Sequence, residues 1–228
     1  MAWRTSSIGR RWSGGRRGRN EVLTTIALIV DWYGPYPKIE DAKKAAEEFG
    51  DVLYLATGKR AYQRTASMQY VGISTDPKWR LNNNHHKLPE ITKNFGIWLG
   101  KIGSQSLAGR RPQGHPTMHS KPVDLAEWVL AYFLQLPLNV RKRKNPPSDP
   151  VILISRWFKS YFETKWQRRR HKEWPDYIEF DPDNEFARLQ WFGSPGTSRR
   201  LSADKIKALA LQTASPPTQS RKTPRALE

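Results

Sequence analysis

Residues Val22 to Val30 form a run too apolar for a surface loop. Its β-branched residues favour a strand, although length alone does not separate a buried strand from a buried helix. The Gly and Pro in Tyr33-Gly34-Pro35-Tyr36-Pro37 predict a turn. Over 39–49 the period changes. Ile39, Ala42, Ala46 and Phe49 share one helical face, and Gly50 follows as a stop. Strand patterns return at Val52–Ala56 and Met68–Ile73, and the Thr57-Gly58-Lys59 signal between them predicts an antiparallel hairpin with a long loop. A short helix starts near Asp76-Pro77, where Pro is tolerated in the first turn, and runs through Trp79, Arg80 and Leu81 towards His85 and His86. Ile97–Ile102 predicts a third strand.

The stretch from Gly103 to Pro122 is rich in Gly, Pro, Ser, Arg and His and reads as a loop. Val123 to Leu136 predicts a helix that ends before Pro137. A basic linker, Arg141-Lys142-Arg143-Lys144-Asn145-Pro146-Pro147, marks a boundary. Beyond it, Val151 to about Trp166 predicts a further helix, with aromatics at 157, 158, 161, 162 and 166 as a stripe. Tyr177–Phe180 and Phe186–Phe192 predict strands around the turn Asp181-Pro182-Asp183-Asn184. From Pro195 onward Ser, Thr, Pro and basic residues predict a disordered tail, with a short helix at 202–212 as the exception. The expected organisation is a basic arm (1–20), an extension (21–50), a core domain (51–140), a basic C-terminal extension (141–194) and a tail (195–228). No internal repeat is visible.

Charge narrows the partner. Thirty-nine Lys and Arg against 21 Asp and Glu give a formal charge of +18, a field that attracts polyanions. A membrane-surface binder concentrates such charge on an amphipathic helix, whereas here the basic segments are mixed with Gly, Pro or Trp. Nucleic acid is therefore the expected partner, and no membrane association is expected, since no run approaches the roughly 18 apolar residues of a membrane span. The chain has no cysteine, which removes disulfides, thiolate metal sites and a Cys nucleophile. That suits a reducing, cytoplasmic compartment. The six Arg of residues 1–20 leave organelle targeting open, but Gly9, Gly14, Gly15 and Gly18 oppose the amphipathic helix that a presequence needs.

Candidate chemistry starts at Glu127. It shares a helix face with Val123, Leu130 and Leu134, and a buried carboxylate needs a cation or strong hydrogen bonds. It is either a ligand for a hard divalent ion, a carboxylate at the edge of the buried face, or one paired with Arg. Tyr70-Val71-Gly72 begins ten residues before Arg80, Tyr54 lies sixteen before Tyr70, and His85 follows Arg80. Glu127 lies twelve residues before Asn139, where Pro137-Leu138-Asn139 closes the helix. In this order and spacing, residues 51–140 resemble the GIY-YIG nucleases. Tyr70-Val71-Gly72 matches the second tripeptide of that family, Leu53-Tyr54-Leu55 matches the first only at its Tyr, and Asp76–Leu81 resembles its Arg helix.

The resemblance implies a small antiparallel three-stranded sheet flanked by helices, with a C-terminal α/β extension here. It implies a metal-dependent endonuclease acting on DNA, with Tyr54, Tyr70, Arg80, His85 and Glu127 in the active centre and one Mg²⁺ or Mn²⁺ on Glu127. Arg80 would offer its donor fork to phosphate oxygens, and Tyr54 would orient or deprotonate the attacking water beside Tyr70. A Tyr is a poor base unless neighbours lower its pKa, and the metal and Arg80 are the candidates to do so. One such site nicks one strand, so double-strand cutting needs a homodimer or two successive nicks. Arg141, Lys142, Arg143 and Lys144, with Arg168, Arg169 and Arg170, are expected to meet DNA phosphates. Zinc at His85, His86, His115 and His119 is disfavoured by their loop setting and divergent directions. Asp181-x-Asp183-x-Glu185 reads as a turn rather than a calcium loop. The rivals are a nucleic-acid-binding protein that has lost catalysis on the same scaffold, and a basic RNA-associated structural protein.

Overall fold

The computed structural model describes residues 25–82, 84–103, 120–160, 171–193 and 196–211. Strand β1 (Ile26–Tyr36) precedes helix α1 (Ile39–Ala46), then β2 (Val52–Arg60), β3 (Ser67–Ser74), the one-turn helix α2 (Pro77–Arg80), β4 (Ile91–Ile102) and helix α3 (Ser120–Phe133). Strands β5 (Val151–Phe158), β6 (Tyr177–Asp181), β7 (Phe186–Trp191) and β8 (Thr197–Leu201) follow, and helix α4 (Ala203–Leu211) comes last. All eight strands join one mixed sheet in the order β3-β2-β4-β1-β5-β6-β7-β8, curled into a half-barrel.

This corrects the expected fold class. The antiparallel trio β3-β2-β4 is present, but it is one end of a sheet of eight strands with few helices, not a small sheet flanked by helices. The apolar run that opens at Val22 explains why. Apolar residues on successive positions need cover on both faces and on both edges. β1 obtains it centrally, antiparallel to β4 on one side and parallel to β5 from Ile26↔Val151 to Tyr33↔Phe158 on the other. Segments from 21–50, 51–140 and 141–194 are thus hydrogen-bonded into one sheet.

Three local expectations change with it. The helix expected over 151–166 is strand β5 as far as Phe158, where burial alternates with period two through Val151, Leu153, Ser155 and Trp157. The spacing of Trp157, Phe158, Tyr161 and Phe162 imitates a helical stripe, but the β-branched run before it sets the conformation; residues 161–170 lie outside the described residues. The turn expected at 33–37 lies largely inside β1, which reaches Tyr36 with a register shift against β4 after Tyr33. The tail expected to be disordered contributes β8 as well as α4.

Two cores lie on the two sheet faces. Leu53 and Leu55 of β2 pack with α3 and the β5–β8 end, whereas Val52, Tyr54 and Ala56 pack with α1 and the 77–91 segment. Trp174, fully buried, meets Trp32, Trp98 and Trp157 at ring-centroid distances of 4.9, 5.9 and 5.6 Å, tying β4, β1 and β5 together. Each buried indole withdraws about 150–250 Å² from water, on the order of 4–6 kcal/mol of transfer free energy as an upper bound. Gly100 makes room for this cluster, since a Cβ there would lie 2.7 Å from Trp32. Among the described residues no helix is long and apolar enough to cross a membrane.

Candidate active site

Register places the first two residues of the site. Tyr54 on β2 lies opposite Gly72 on β3, and both Tyr54 and Tyr70 point to the α1 face. Their rings are 5.9 Å apart between centroids. A Cβ at Gly72 would come within 2.5 Å of the Tyr54 hydroxyl oxygen and 2.9 Å of the Tyr70 ring. The Gly of the Tyr-Val-Gly tripeptide is therefore a space requirement of the two tyrosines.

Helix α2 brings Arg80 over them. Asp76 caps it by accepting from the Trp79 backbone N–H at 3.3 Å, Pro77 occupies its first turn, and Leu81 anchors its end in the core. Arg80 Nε donates to the Tyr54 hydroxyl at 3.2 Å. His85 completes the group, its Nε2 3.0 Å from the Tyr54 oxygen. The Lys87 and Leu88 backbone N–H groups both donate to His85 Nδ1 at 3.1 Å. Nδ1 is thus an acceptor, and the neutral ring carries its proton on Nε2 and donates it to Tyr54. Burial, then Arg80 and His86, push the His85 pKa down to about 4, so this neutral form holds at pH 7.

The Tyr54 oxygen therefore receives two donors, from His85 and Arg80. Even so, its pKa is raised above the ordinary value: burial comes first and the neighbouring Tyr70 adds to it, while Arg80 offsets only part. Arg80 by itself, without the metal ion expected to act with it, does not bring the hydroxyl below its ordinary value. Tyr54 is fully buried and Tyr70 and His85 nearly so, whereas Arg80 is exposed. Arg80 is the group a ligand meets first, and Tyr54, Tyr70 and His85 hold it in position.

Glu127 stands apart from this group. Helix α3 packs in the core of the opposite sheet face, and the Arg80 charge acts on the Glu127 carboxylate. Its direct partner is Lys142, whose Nζ lies 2.5 Å from both Glu127 Oε2 and Asp124 Oδ1. Burial raises the Glu127 pKa, with Lys142 pulling the other way. Sequence reasoning placed Lys142 on DNA. The signal for its actual use was the pair Asp124 and Glu127, one helical turn apart, which together demand a cation.

A divalent ion is tested by the same geometry. Among the described residues no cluster of three or more His, Asp or Glu could hold a metal. A single carboxylate with waters and a substrate phosphate suits Mg²⁺. Glu127 could offer such an ion one carboxylate, which Lys142 now neutralises together with Asp124.

The remaining predicted residues divide. Arg143 donates to the Leu136 and Pro137 carbonyls at 3.4 and 3.0 Å in the segment that follows α3, so it and Lys142 are committed within the protein. Arg141 and Lys144 are exposed. Arg168, Arg169 and Arg170 lie outside the described residues, as do His115 and His119. Asp181 accepts from the Asp183 and Asn184 backbone N–H groups at 3.0 and 3.2 Å, an Asx turn that closes the β6–β7 hairpin. Compared with known proteins, the chain matches no family model, no curated protein and no solved structure.

Proposed function

We propose that the protein is a metal-dependent endonuclease that hydrolyses DNA phosphodiester bonds through a GIY-YIG-type site. The observation that carries the reading is the cluster at Arg80: its Nε donates to the Tyr54 hydroxyl, His85 shares that oxygen, and the Tyr70 ring lies beside both Tyr54 and His85. These are four of the five residues singled out by spacing, drawn from two strands, a helix and a loop, while Glu127 lies on α3 at the opposite sheet face. A permanently charged fork held by a buried hydroxyl is pre-organised for phosphate oxygens. Glu127 would hold a Mg²⁺ or Mn²⁺ ion, which when bound polarises the phosphate and steadies the leaving oxygen. Tyr54 and His85 orient Arg80, and Tyr54 acts by position rather than as a base while it stays buried beneath the guanidinium.

A second reading has its own support. Lys142 on Glu127 and the burial of Tyr54 also suit a nucleic-acid-binding protein without catalysis. Supercoiled plasmid incubated with the protein and Mg²⁺ or Mn²⁺ separates the two. Nicking that is lost in both Glu127→Ala and Arg80→Ala is the expected result. Nicking that survives both substitutions removes the site assignment. Tight, salt-sensitive binding without nicking by the unaltered protein favours the binding reading.

A further inference from the structure

Beside Arg80 opens a cleft of about 570 Å³ lined by Asp51, Ile73, Asp76, Trp79, Arg80 and Val123, within the size range of small-ligand sites. Trp79 stands at it 80 % exposed, on the one-turn helix that carries Arg80. A large aromatic left in water next to a phosphate-binding side chain calls for a planar partner. The charge of the wall says which part of a nucleic acid enters. Asp51 and Asp76 are the acidic residues that line the cleft, in a chain with formal charge +18, and Asp76 also caps α2. They repel phosphates and accept hydrogen bonds from amino groups, so the backbone is held at Arg80 and kept out of the cleft itself.

We propose that this cleft seats one unstacked nucleobase next to the phosphate on Arg80, stacked on Trp79 and hydrogen-bonded through an exocyclic amino group to Asp51. The inference rests on the nuclease reading in one respect, that Arg80 meets a DNA phosphate. It deepens that reading by naming the substrate class: DNA with an unpaired or readily unpaired base at the cut site. Cytosine and adenine present an amino group to a carboxylate, and guanine presents an N–H and an amino group. Thymine has no amino group and is disfavoured.

The test uses the full chain in metal-free buffer, so that binding is read without cutting. Anisotropy is measured with a perfect duplex, the same duplex carrying one unpaired cytosine, and one carrying an unpaired thymine. The unpaired cytosine is expected to bind about tenfold or more tighter than the perfect duplex, the scale of one base–aromatic stack. Trp79→Ala should abolish that preference, Trp79→Phe should keep most of it, and Asp51→Asn should narrow the gap between cytosine and thymine. Because Trp79 is exposed, its substitution leaves the core intact. A cytosine preference that survives Trp79→Ala, or no preference in the unaltered protein, overturns the proposal. Arg80→Ala separates the two levels. If it weakens binding to all three duplexes while Trp79→Ala changes none, the base pocket alone fails. If it changes none of them, the phosphate role of Arg80 fails and the pocket with it.

Discussion

The Asn139 side chain grips the backbone of Val71 from both sides: its Oδ1 accepts from the Val71 N–H at 2.9 Å and its Nδ2 donates to the Val71 carbonyl at 2.7 Å. β3 is an edge strand, and this amide supplies one residue's worth of the neighbour that it lacks. The Leu138 N–H adds a bond to the Gln69 carbonyl at 3.0 Å. The segment that follows α3 is thereby fixed to the strand that carries Tyr70, which sets the position of Glu127 relative to Arg80.

Asn139→Ala is expected to destabilise the protein by about 2–4 kcal/mol, since two buried backbone groups lose their partner. Asn139→Asp keeps the acceptor and should fall between the two. Urea titration followed by circular dichroism measures both, and a loss under about 0.5 kcal/mol for the Ala variant would contradict the clamp.

Gly72→Ala is expected to displace the Tyr54 hydroxyl, because the new methyl group occupies its place. Crowding of this kind costs about 1–3 kcal/mol. Adding Tyr54→Phe removes the oxygen, so the double variant should recover part of the stability without recovering nicking. The two changes must therefore be non-additive in a double-mutant cycle. Additive stability losses would show that the hydroxyl and the methyl do not meet.

His85 gives a pH signature. Its folded pKa of about 4 lies below the unfolded value of about 6.5. The unfolded chain therefore binds a proton first, and the contribution of neutral His85 is complete above pH 6.5 and lost as pH falls towards 4. The urea midpoint should drop across that window, and His85→Gln should flatten this part of the profile. A ring titration near pH 6.5 by NMR in the folded protein would rule the arrangement out.

Lys142→Met is expected to raise the affinity of the free protein for Mn²⁺, because it removes the ammonium that holds Glu127 and Asp124. Electron paramagnetic resonance of Mn²⁺ reads this without DNA or turnover. The gain should disappear in a Lys142→Met/Glu127→Gln double variant. Equal Mn²⁺ affinity with and without Lys142 would mean that the ion does not use this carboxylate.

Much of the site was legible in the sequence. The strand patterns of β2 and β3, the Pro77 start of α2 and the apolar helix α3 are local signals, and they put Tyr54, Tyr70, Arg80 and Glu127 on the right elements. Gly72 was visible as part of a tripeptide, although its reason, the space under Tyr54, was not. The functions of neighbouring cations were not legible either. Arg141, Lys142, Arg143 and Lys144 look alike in a row, yet two are committed within the protein and two face solvent.

By itself, the sequence determined the period of most segments, with 151–158 the exception, the order of the candidate residues and the basic field around them. These follow from side-chain chemistry and short-range spacing. Only the tertiary structure decided that 151–158 is a strand beside β1, that eight strands make one sheet, and that Tyr54 lies buried beneath Arg80 with a raised pKa. Strand pairing across more than a hundred residues and the cost of removing a hydroxyl from water depend on what comes to cover a residue. Local pattern carries no record of that cover.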